Sequence, residues 1–458
     1  MVGLIMINAL LVLYLTKELH ISTKDSYSIY AAFGSLFYSA ALLGGYLGGR
    51  YDHKLAIIFG AVLASAGSFL LAIPEIQIIF LGLACFIVGG GLIIPNLNCI
   101  MGKLFLRNDA MRDSGFTIAY IGMNLGSFIT AMGSGFIVRY VSFSAAFILS
   151  SGMMIVCLLT FLYGYSRLKF KKEMHVIPYV PDYSLSNFVS ILVAILIFVP
   201  VVMWLLNHAA LSNSLLIVVG LIMVGLVSGI ALMEKGEARK KLFAFLIFTT
   251  FAVAFWSLYM MAPSALTIFI KHNVNRHIGS FDIPASSVYG LNGFFIVLIG
   301  LFTSSFFLSA SKKGRSLPLS NKFAIGIISM GIGYLVLMIG IGFANGRGDI
   351  ALLWIVASYF LQTLGELFVG PIGFAMVGSL VPSRLEGPMM GVWQLSVGVA
   401  GAISGFLAEA TARVPDDVAM HPQLTNPIFA HFFGLYGSVT VLIGIVIIMF
   451  SSQFKKLF

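Results

Sequence analysis

One carboxylate stands in the middle of a long apolar segment of this sequence. Glu366 lies within LQTLGELFVGPIGF, residues 361–374, where every other side chain is apolar or uncharged. A charge at the centre of a bilayer costs about 2.5–3.5 kcal/mol on insertion scales, and charges there usually face a cavity or a partner. A carboxyl group in a cavity can carry a proton or bind an amine. The alternative is a protonated glutamate that hydrogen-bonds to a neighbouring helix.

Other polar and aromatic side chains interrupt the apolar segments. Tyr120 and Asn124, in FTIAYIGMNLGS, are four residues apart and share one face of a helix. Asn292 lies in VYGLNGFF, and Trp256 and Trp393 fall inside apolar runs rather than at their ends. An asparagine in a membrane helix often joins helices to one another. A tryptophan at such a depth either packs in the core or lines a cavity, and both interpretations stay open here.

The elements that must position these residues are membrane helices. The chain has 458 residues, of which 59% are hydrophobic and 10% charged, whereas soluble domains are about 25% charged. A spanning helix needs about 20 apolar residues. Fourteen runs approach or exceed that length, which predicts an all-α polytopic membrane protein. They are 1–17, 29–49, 54–73, 76–95, 114–138, 142–164, 185–206, 213–233, 242–270, 285–310, 323–344, 350–379, 387–411 and 430–452.

The net charge of +10 follows the loops between these runs. Most of the 27 Lys and Arg residues fall in alternate loops, on the side that would be cytoplasmic if the N-terminus is cytoplasmic. This positive-inside pattern predicts a multi-pass protein of the cytoplasmic membrane with both termini in the cytoplasm. The same pattern explains the positive net charge as a signal of membrane orientation and as contact with the lipid bilayer. No nucleic-acid partner is therefore expected.

The runs are organised as six helices, two helices and six helices. We predict an N-terminal bundle at 1–164, a basic cytoplasmic linker at 165–184, an extra helix pair at 185–233, a second basic linker at 234–241 and a C-terminal bundle at 242–458. This 6+2+6 arrangement resembles the major facilitator transporters, whose halves rock around a central site.

Enzyme and cofactor signals do not appear in the sequence. GGYLGG at 44–49 and GGG at 89–91 are predicted to let helices pack closely rather than to bind phosphate. The three cysteines and eight histidines have no metal-ligand spacing. We therefore expect no enzyme activity, no metal and no cofactor.

Several longer motifs together resemble the proton-dependent oligopeptide transporter family over nearly the whole chain. The strongest is FTIAYIGMNLGSFI at 116–129, and YFLQTLGELFVGPIGFAMV at 359–377 is another. The resemblance implies symport of dipeptides and tripeptides with protons. It implies that Glu366 holds the peptide amino group and serves any proton coupling, with Asn124 and Asn292 assisting. The resemblance also implies aromatic wall positions at Tyr120, Trp256 and Trp393 and, as a weaker match, Tyr38.

Departures from the family pattern leave alternatives open. Met1 aligns with the Arg of the family's E-x-x-E-R motif, so a longer native N-terminus is expected. Asn8 and Ile94 stand where the family has cations that meet the peptide carboxylate, and Met260 replaces a family Glu. The alternatives are a transporter of amines or modified peptides with altered proton coupling, or a truncated copy that does not transport. We expect a monomer.

Overall fold

The computed structural model describes residues 2–102, 110–165, 167, 184–312, 317–382, 385–412, 420–451 and 453. Most of the predicted linker 165–184 lies outside these residues. The bounds proposed for the bundles and linkers stay predictions. Residues of the proposed second linker from Gly236 onward form the first turns of a helix.

Helices dominate the described residues. They are α1 (Val2–Lys17), α2 (Thr23–Arg50), α3 (His53–Leu70), α4 (Ile76–Gly102), α5 (Ala110–Tyr140), α6 (Phe143–Tyr165), α7 (Leu185–Asn207), α8 (Ala209–Met233), α9 (Gly236–Tyr259), α10 (Thr267–Asn273), α11 (Ala285–Val288), α12 (Gly290–Lys312), α13 (Leu319–Gly342), α14 (Leu352–Leu380), α15 (Glu386–Thr411) and α16 (Pro422–Met449). A π-helical turn at Ala262–Leu266 precedes α10.

Eleven helical segments of the described residues are long and apolar enough to cross a membrane. One of them runs through α9, the π-helical turn and α10, from Gly236 to Asn273. If α11 and α12 are also counted as one segment, the helices form fourteen segments that correspond to the predicted apolar runs. The predicted all-α membrane fold is confirmed, whereas the cytoplasmic placement of the termini stays a prediction.

Local signals in the sequence explain several helix boundaries. The hydroxyl of Ser22 accepts a hydrogen bond from the backbone of Asp25 (3.1 Å) at the start of α2. The carboxylate of Asp52 does the same for Leu55 (2.7 Å) at the start of α3. Such caps satisfy backbone N–H groups that have no partner inside the helix. Helix α16 starts at Pro422, well before the predicted run at 430, because a proline is favoured in the first turn.

The glycine motifs hold α2 against α4. A side chain at Gly44 would meet the backbone of Gly91, and one at Gly48 would meet Asn96. Asn96 is buried, and its Nδ2 donates to the carbonyl of Gly44 (2.8 Å), while its Oδ1 lies 2.6 Å from Nδ1 of His53. The expectation that these glycines serve close packing is confirmed, and Asn96 joins α4 to α2 and α3.

Two short strand pairs lie near one end of the bundle. Strand β1 (Val274–Asn275) pairs in parallel with β4 (Ile350–Ala351), and β2 (His277–Ile278) pairs antiparallel with β3 (Phe281–Asp282). We call the end of the molecule that carries the β2–β3 pair the hairpin side. Under the predicted topology it is the outer face.

Helix α5 contacts α11 and α12 toward the hairpin side. The hydroxyl of Ser287 donates to the carbonyl of Met132 (2.7 Å). Gly290 faces Met132, and Gly293 faces the backbone of Phe128, so the helices approach closely there. Nearer the other end of α5, a side chain at Gly122 or Gly126 would meet nothing within 4 Å. Helix α5 therefore approaches α11 and α12 closely at the hairpin side, and no such close approach is found at Gly122 or Gly126.

Candidate functional site

A cavity of about 170 Å³ lies between the helices. At 10–15 Å³ of such volume per water, it has space for on the order of ten water molecules. Its walls come from α1, α2, α5, α9, α12 and α14, together with the segments that precede α10 and α12. The polar and aromatic lining residues are Asn8, Tyr30, Phe37, Tyr38, Asn124, Ser127, Trp256, Tyr259, Tyr289, Asn292 and Glu366.

Glu366 enters this cavity from α14 and is held by neutral groups. Nδ2 of Asn292 donates to Oε2 of Glu366 at 2.8 Å and also lies 3.2 Å from Oγ1 of Thr363. The hydroxyl of Tyr259 is within hydrogen-bonding reach of the Glu366 carboxyl and of Oδ1 of Asn292, the latter at 3.3 Å. The amide and the phenol orient the carboxyl group without neutralising its charge. The negative charge of the carboxyl group therefore remains to be neutralised by a cationic ligand or a proton.

Helix α14 continues from Leu352 to Leu380 through Pro371 without a break. A side chain added at Gly370, beside the proline, would lie 3.8 Å from the indole ring of Trp256. Gln362 is one helical turn before Glu366, a spacing that predicts a shared helix face. It is buried, however, and its Nε2 donates to Oγ of Ser358 (2.9 Å), so it does not line the cavity.

Five of the seven predicted site residues line this one cavity. They are Glu366, Asn124, Asn292, Trp256 and Tyr38. Tyr38 is near enough to Glu366 for an electrostatic interaction. Nε1 of Trp256 is buried and has no hydrogen-bond partner among the described residues. That these residues contact a substrate stays a prediction.

The other two predicted site residues, Tyr120 and Trp393, are not found in the described lining of the cavity. The side chain of Tyr120 lies outside the described residues. Trp393 does not line the cavity, because its side chain is 1% exposed and packs edge-on against Phe323 and Phe374. Gly373 provides the space that the indole fills, since any side chain there would meet the ring. In this conformation Trp393 is a core residue rather than a cavity wall.

Several polar cavity residues were not predicted as site residues, among them Asn8, Tyr30, Tyr259 and Tyr289. The hydroxyl of Tyr30 donates to Oδ1 of Asn8 (3.3 Å), and Tyr289 also hydrogen-bonds to Asn8. Tyr259 and Tyr289 each lie three residues from a predicted site residue, Trp256 and Asn292 respectively, so helical spacing could have identified both. In the sequence Asn8 stands out only as a departure from the family pattern, and Tyr30 carries no local signal, because packing between α1 and α2 is what brings the two together.

The described residues contain no group of three or more His, Cys, Asp or Glu side chains that could hold a metal ion. The chemistry available in the cavity is therefore that of one carboxyl group, amides, hydroxyls and an indole.

Comparison with known proteins places the chain in a family. The model of the POT (PTR2) family matches residues 54–424. Dipeptide and tripeptide permease A of Yersinia pestis is 30% identical over 454 residues, which cover 98% of this chain and 89% of the permease. The protein of the same name from Escherichia coli K12 is 28% identical over 454 residues, with the same coverage.

Solved structures agree on the fold. A peptide transporter crystallised with alafosfalin has a TM-score of 0.84 at 23% identity, over 100% of this chain and 92% of that one. A bacterial homologue of the human drug peptide transporters has a TM-score of 0.85 at 21% identity, over 100% and 96% of the two chains. Because the family model covers most of the sequence and the curated relatives match it nearly end to end, this protein belongs to the POT family.

Proposed function

We propose that this chain is a secondary transporter that moves dipeptides and tripeptides across the cytoplasmic membrane by alternating access. The relatives named dipeptide and tripeptide permease support the substrate class. The multi-pass helical fold and a polar cavity between its helices support transport rather than catalysis. We expect the monomer to be the transporting unit.

The observation that carries this proposal is the pairing of Glu366. Its carboxyl group receives a hydrogen bond from Asn292 and approaches Tyr259, and neither partner is charged. The described lining of the cavity contains no Lys, Arg or His. A peptide's ammonium group would supply the missing positive charge and form a charge-assisted hydrogen bond, which is stronger than a bond between neutral groups.

Proton coupling would use the same carboxyl group, because Glu366 is the one acid in the described lining of the cavity. Symport requires that the proton and the peptide cross the membrane in the same direction. The conformational change would therefore be open to a cavity that holds both and to an empty cavity, and closed to a cavity that holds only one of them.

Uptake into proteoliposomes tests this proposal. Labelled dialanine is supplied with and without an inward proton gradient to the wild-type protein, Glu366→Gln and Glu409→Gln. Glu409 is a matched control because it also lies in a transmembrane helix, α15, but does not line the cavity. We expect gradient-driven uptake by the wild type and by Glu409→Gln, and at least a hundredfold less by Glu366→Gln.

Two results would count against the proposal. Gradient-driven uptake that Glu366→Gln leaves unchanged would place coupling elsewhere. Absence of uptake and of gradient-independent exchange by the wild type would remove the peptide function and favour a chain that does not transport.

A further inference from the structure

The cavity is electrically asymmetric. Among the lining residues that the structure describes, Glu366 is the one acid and there is no Lys, Arg or His. An unmodified peptide brings both an ammonium group and a carboxylate. The cavity offers a charged partner to the first of these groups and none, within its described lining, to the second.

A neutral cluster faces the same cavity from other helices. We call Asn8, Tyr30 and Tyr289 the Asn8 cluster. The Tyr30 hydroxyl donates to Oδ1 of Asn8 at 3.3 Å, and Tyr289 hydrogen-bonds to Asn8 from the segment before α12. Tyr289 is also close enough to Glu366 for an electrostatic interaction. The cluster therefore borders the space next to the carboxyl group and supplies amide and phenol groups only.

A dipeptide bound at Glu366 is long enough for its other end to meet further groups of the cavity lining. An extended chain spans at most about 3.3–3.6 Å per residue, so the two ends of a dipeptide lie about 7 Å apart. A dipeptide whose amine contacts Glu366 would present its C-terminal end to lining groups a few ångströms away.

Neutral donors distinguish poorly between a carboxylate and a carboxamide. A hydrogen bond is about twice as strong when either partner is ionised, so an amide or a phenol bonds more strongly to a carboxylate than to a carboxamide. Transfer of a carboxylate out of water without a charged partner costs far more than transfer of a carboxamide, and this cost offsets the stronger bond. A guanidinium group, by contrast, would fit a carboxylate with two parallel charge-assisted bonds.

We propose that the Asn8 cluster makes the C-terminal carboxylate of the substrate dispensable, so that the protein transports C-terminally amidated peptides as readily as free ones. Asn8 is the residue that determines this specificity. The inference rests on the proposed peptide function and deepens it, because it extends the substrate class to peptides with a free amine and a blocked carboxyl end.

Competition in proteoliposomes tests the proposal. Counterflow of labelled dialanine is inhibited with unlabelled dialanine, dialanine amide or N-acetyl-dialanine. For the wild type we expect half-inhibition by dialanine and its amide within threefold of each other, and by the acetylated peptide at a concentration at least tenfold higher. The amide and the acetyl compound each block one end, so they are matched probes.

The variant Asn8→Lys adds the missing cation. We expect it to favour dialanine over dialanine amide by at least tenfold, while the order of dialanine over N-acetyl-dialanine is kept. Tyr30→Phe, which removes a hydroxyl and adds no charge, should leave the ratio of acid to amide within threefold.

The results distinguish failure of this inference from failure of the proposed peptide function. A wild-type protein that prefers dialanine over its amide by tenfold or more overturns the inference, whether or not Asn8→Lys folds, and leaves the peptide function intact. A wild-type protein that none of the three compounds inhibits, and that shows no counterflow, overturns the peptide function itself. Equal inhibition by all three compounds would overturn the role of Glu366 in binding the amine.

Discussion

Two carboxylates of this protein lie in opposite surroundings. Glu366 faces the cavity and meets an asparagine amide at 2.8 Å and a nearby phenol. Asp282, in the β2–β3 pair at the hairpin side, meets two guanidinium groups, from Arg139 at 3.2 Å and from Arg276 at 3.3 Å. We call Arg139, Arg276 and Asp282 the rim cluster. Both acids are oriented by several donors, but only Asp282 has fixed positive charges.

The different partners suit the two acids to different tasks. Glu366 is suited to binding a cation in the cavity, and Asp282 is suited to holding two segments together at the hairpin side. Arg139 lies in the last turn of α5 and also donates to the backbone carbonyl of Asp282 at 2.6 Å. The rim cluster therefore connects α5 to the loop before α11. Partial burial lowers the pKa of the Arg276 guanidinium, and the carboxylate of Asp282 opposes that effect. A carboxylate with such partners has little capacity for another cation. Glu366 keeps that capacity, because its partners carry no charge.

The largest expected effect comes from giving Glu366 a fixed cation of its own. In Asn292→Lys an ammonium group would replace the amide that now lies 2.8 Å from Oε2 of Glu366. It would compete with the peptide amine at the same oxygen atoms, so we expect uptake of dialanine to fall by at least a hundredfold. Initial rates in proteoliposomes measure this.

Asn292→Met is the matched control for this change, since it removes the amide without adding a charge. It should retain more than a tenth of wild-type uptake. Uptake by Asn292→Lys at or above the level of Asn292→Met would show that the carboxyl group does not bind the peptide amine.

A restraint on the rim cluster tests whether this contact opens during transport. Arg139→Cys and Asp282→Cys are combined in a protein whose exposed Cys99 and Cys157 are changed to alanine. Linking the new pair with a short reducible bifunctional thiol reagent should lower uptake at least tenfold, because α5 could no longer separate from the loop before α11. Addition of a reductant should restore it.

The pair Arg276→Cys and Asp282→Cys is the control for the cross-link, since both residues belong to the same loop region and a link between them leaves α5 free. Full uptake by the linked 139–282 pair, with cross-linking verified by mass spectrometry, would mean that the hairpin side does not open there.

A smaller effect is expected from Tyr259→Phe. The hydroxyl lies 3.3 Å from Oδ1 of Asn292 and within reach of Glu366. A hydrogen bond of this kind is worth about 0.5–1.5 kcal/mol, so we expect dialanine to bind about three- to tenfold more weakly. Competition curves measure the change. Tyr436→Phe, which removes a hydroxyl that donates to Leu407 outside the cavity, should leave binding unchanged. Equal losses in the two variants would attribute the effect to folding.

The smallest effect concerns stability rather than binding. The side chains of Arg139, Asp282 and Arg276 are 42%, 24% and 19% exposed, so their ion pairs are partly screened by water. We expect Asp282→Ala to cost about 1 kcal/mol, as exposed pairs do. Thermal unfolding in detergent should show a Tm a few degrees lower, and the difference from the wild type should shrink at high salt. Glu75→Ala, at an exposed acid, is the control. A Tm equal to that of the control would show that the rim cluster adds no net stability.

Much of the fold could be predicted because membrane helices are encoded locally. Each of the fourteen apolar segments is evident from its own residues, since a lipid environment leaves the backbone few alternatives to a helix. That Glu366 faces a cavity could also be expected, because a lone carboxylate in an apolar run is costly wherever the run packs. The glycine motifs were interpreted correctly for the same reason, as small residues are what close helix packing requires.

The surroundings of these residues could not be predicted from the same information. Trp393 and Trp256 look alike in sequence, yet one fills the space at Gly373 and the other lines the cavity. Gln362 shares a helical face with Glu366 by spacing, but it bonds to Ser358. A rotation of a few tens of degrees decides whether a helix face meets a cavity or a neighbouring helix, and that rotation depends on how distant segments pack.

The sequence by itself therefore determined the membrane class, the number of helical segments and the carboxyl group that stands out within them, because hydropathy and the cost of a buried charge are properties of single segments. Only the tertiary structure decided what that carboxyl group meets. Asn292 and Tyr259 reach Glu366 from α12 and α9, and Asn8 meets Tyr30 across α1 and α2. Contacts between residues this far apart in the chain exist only after the helices have packed.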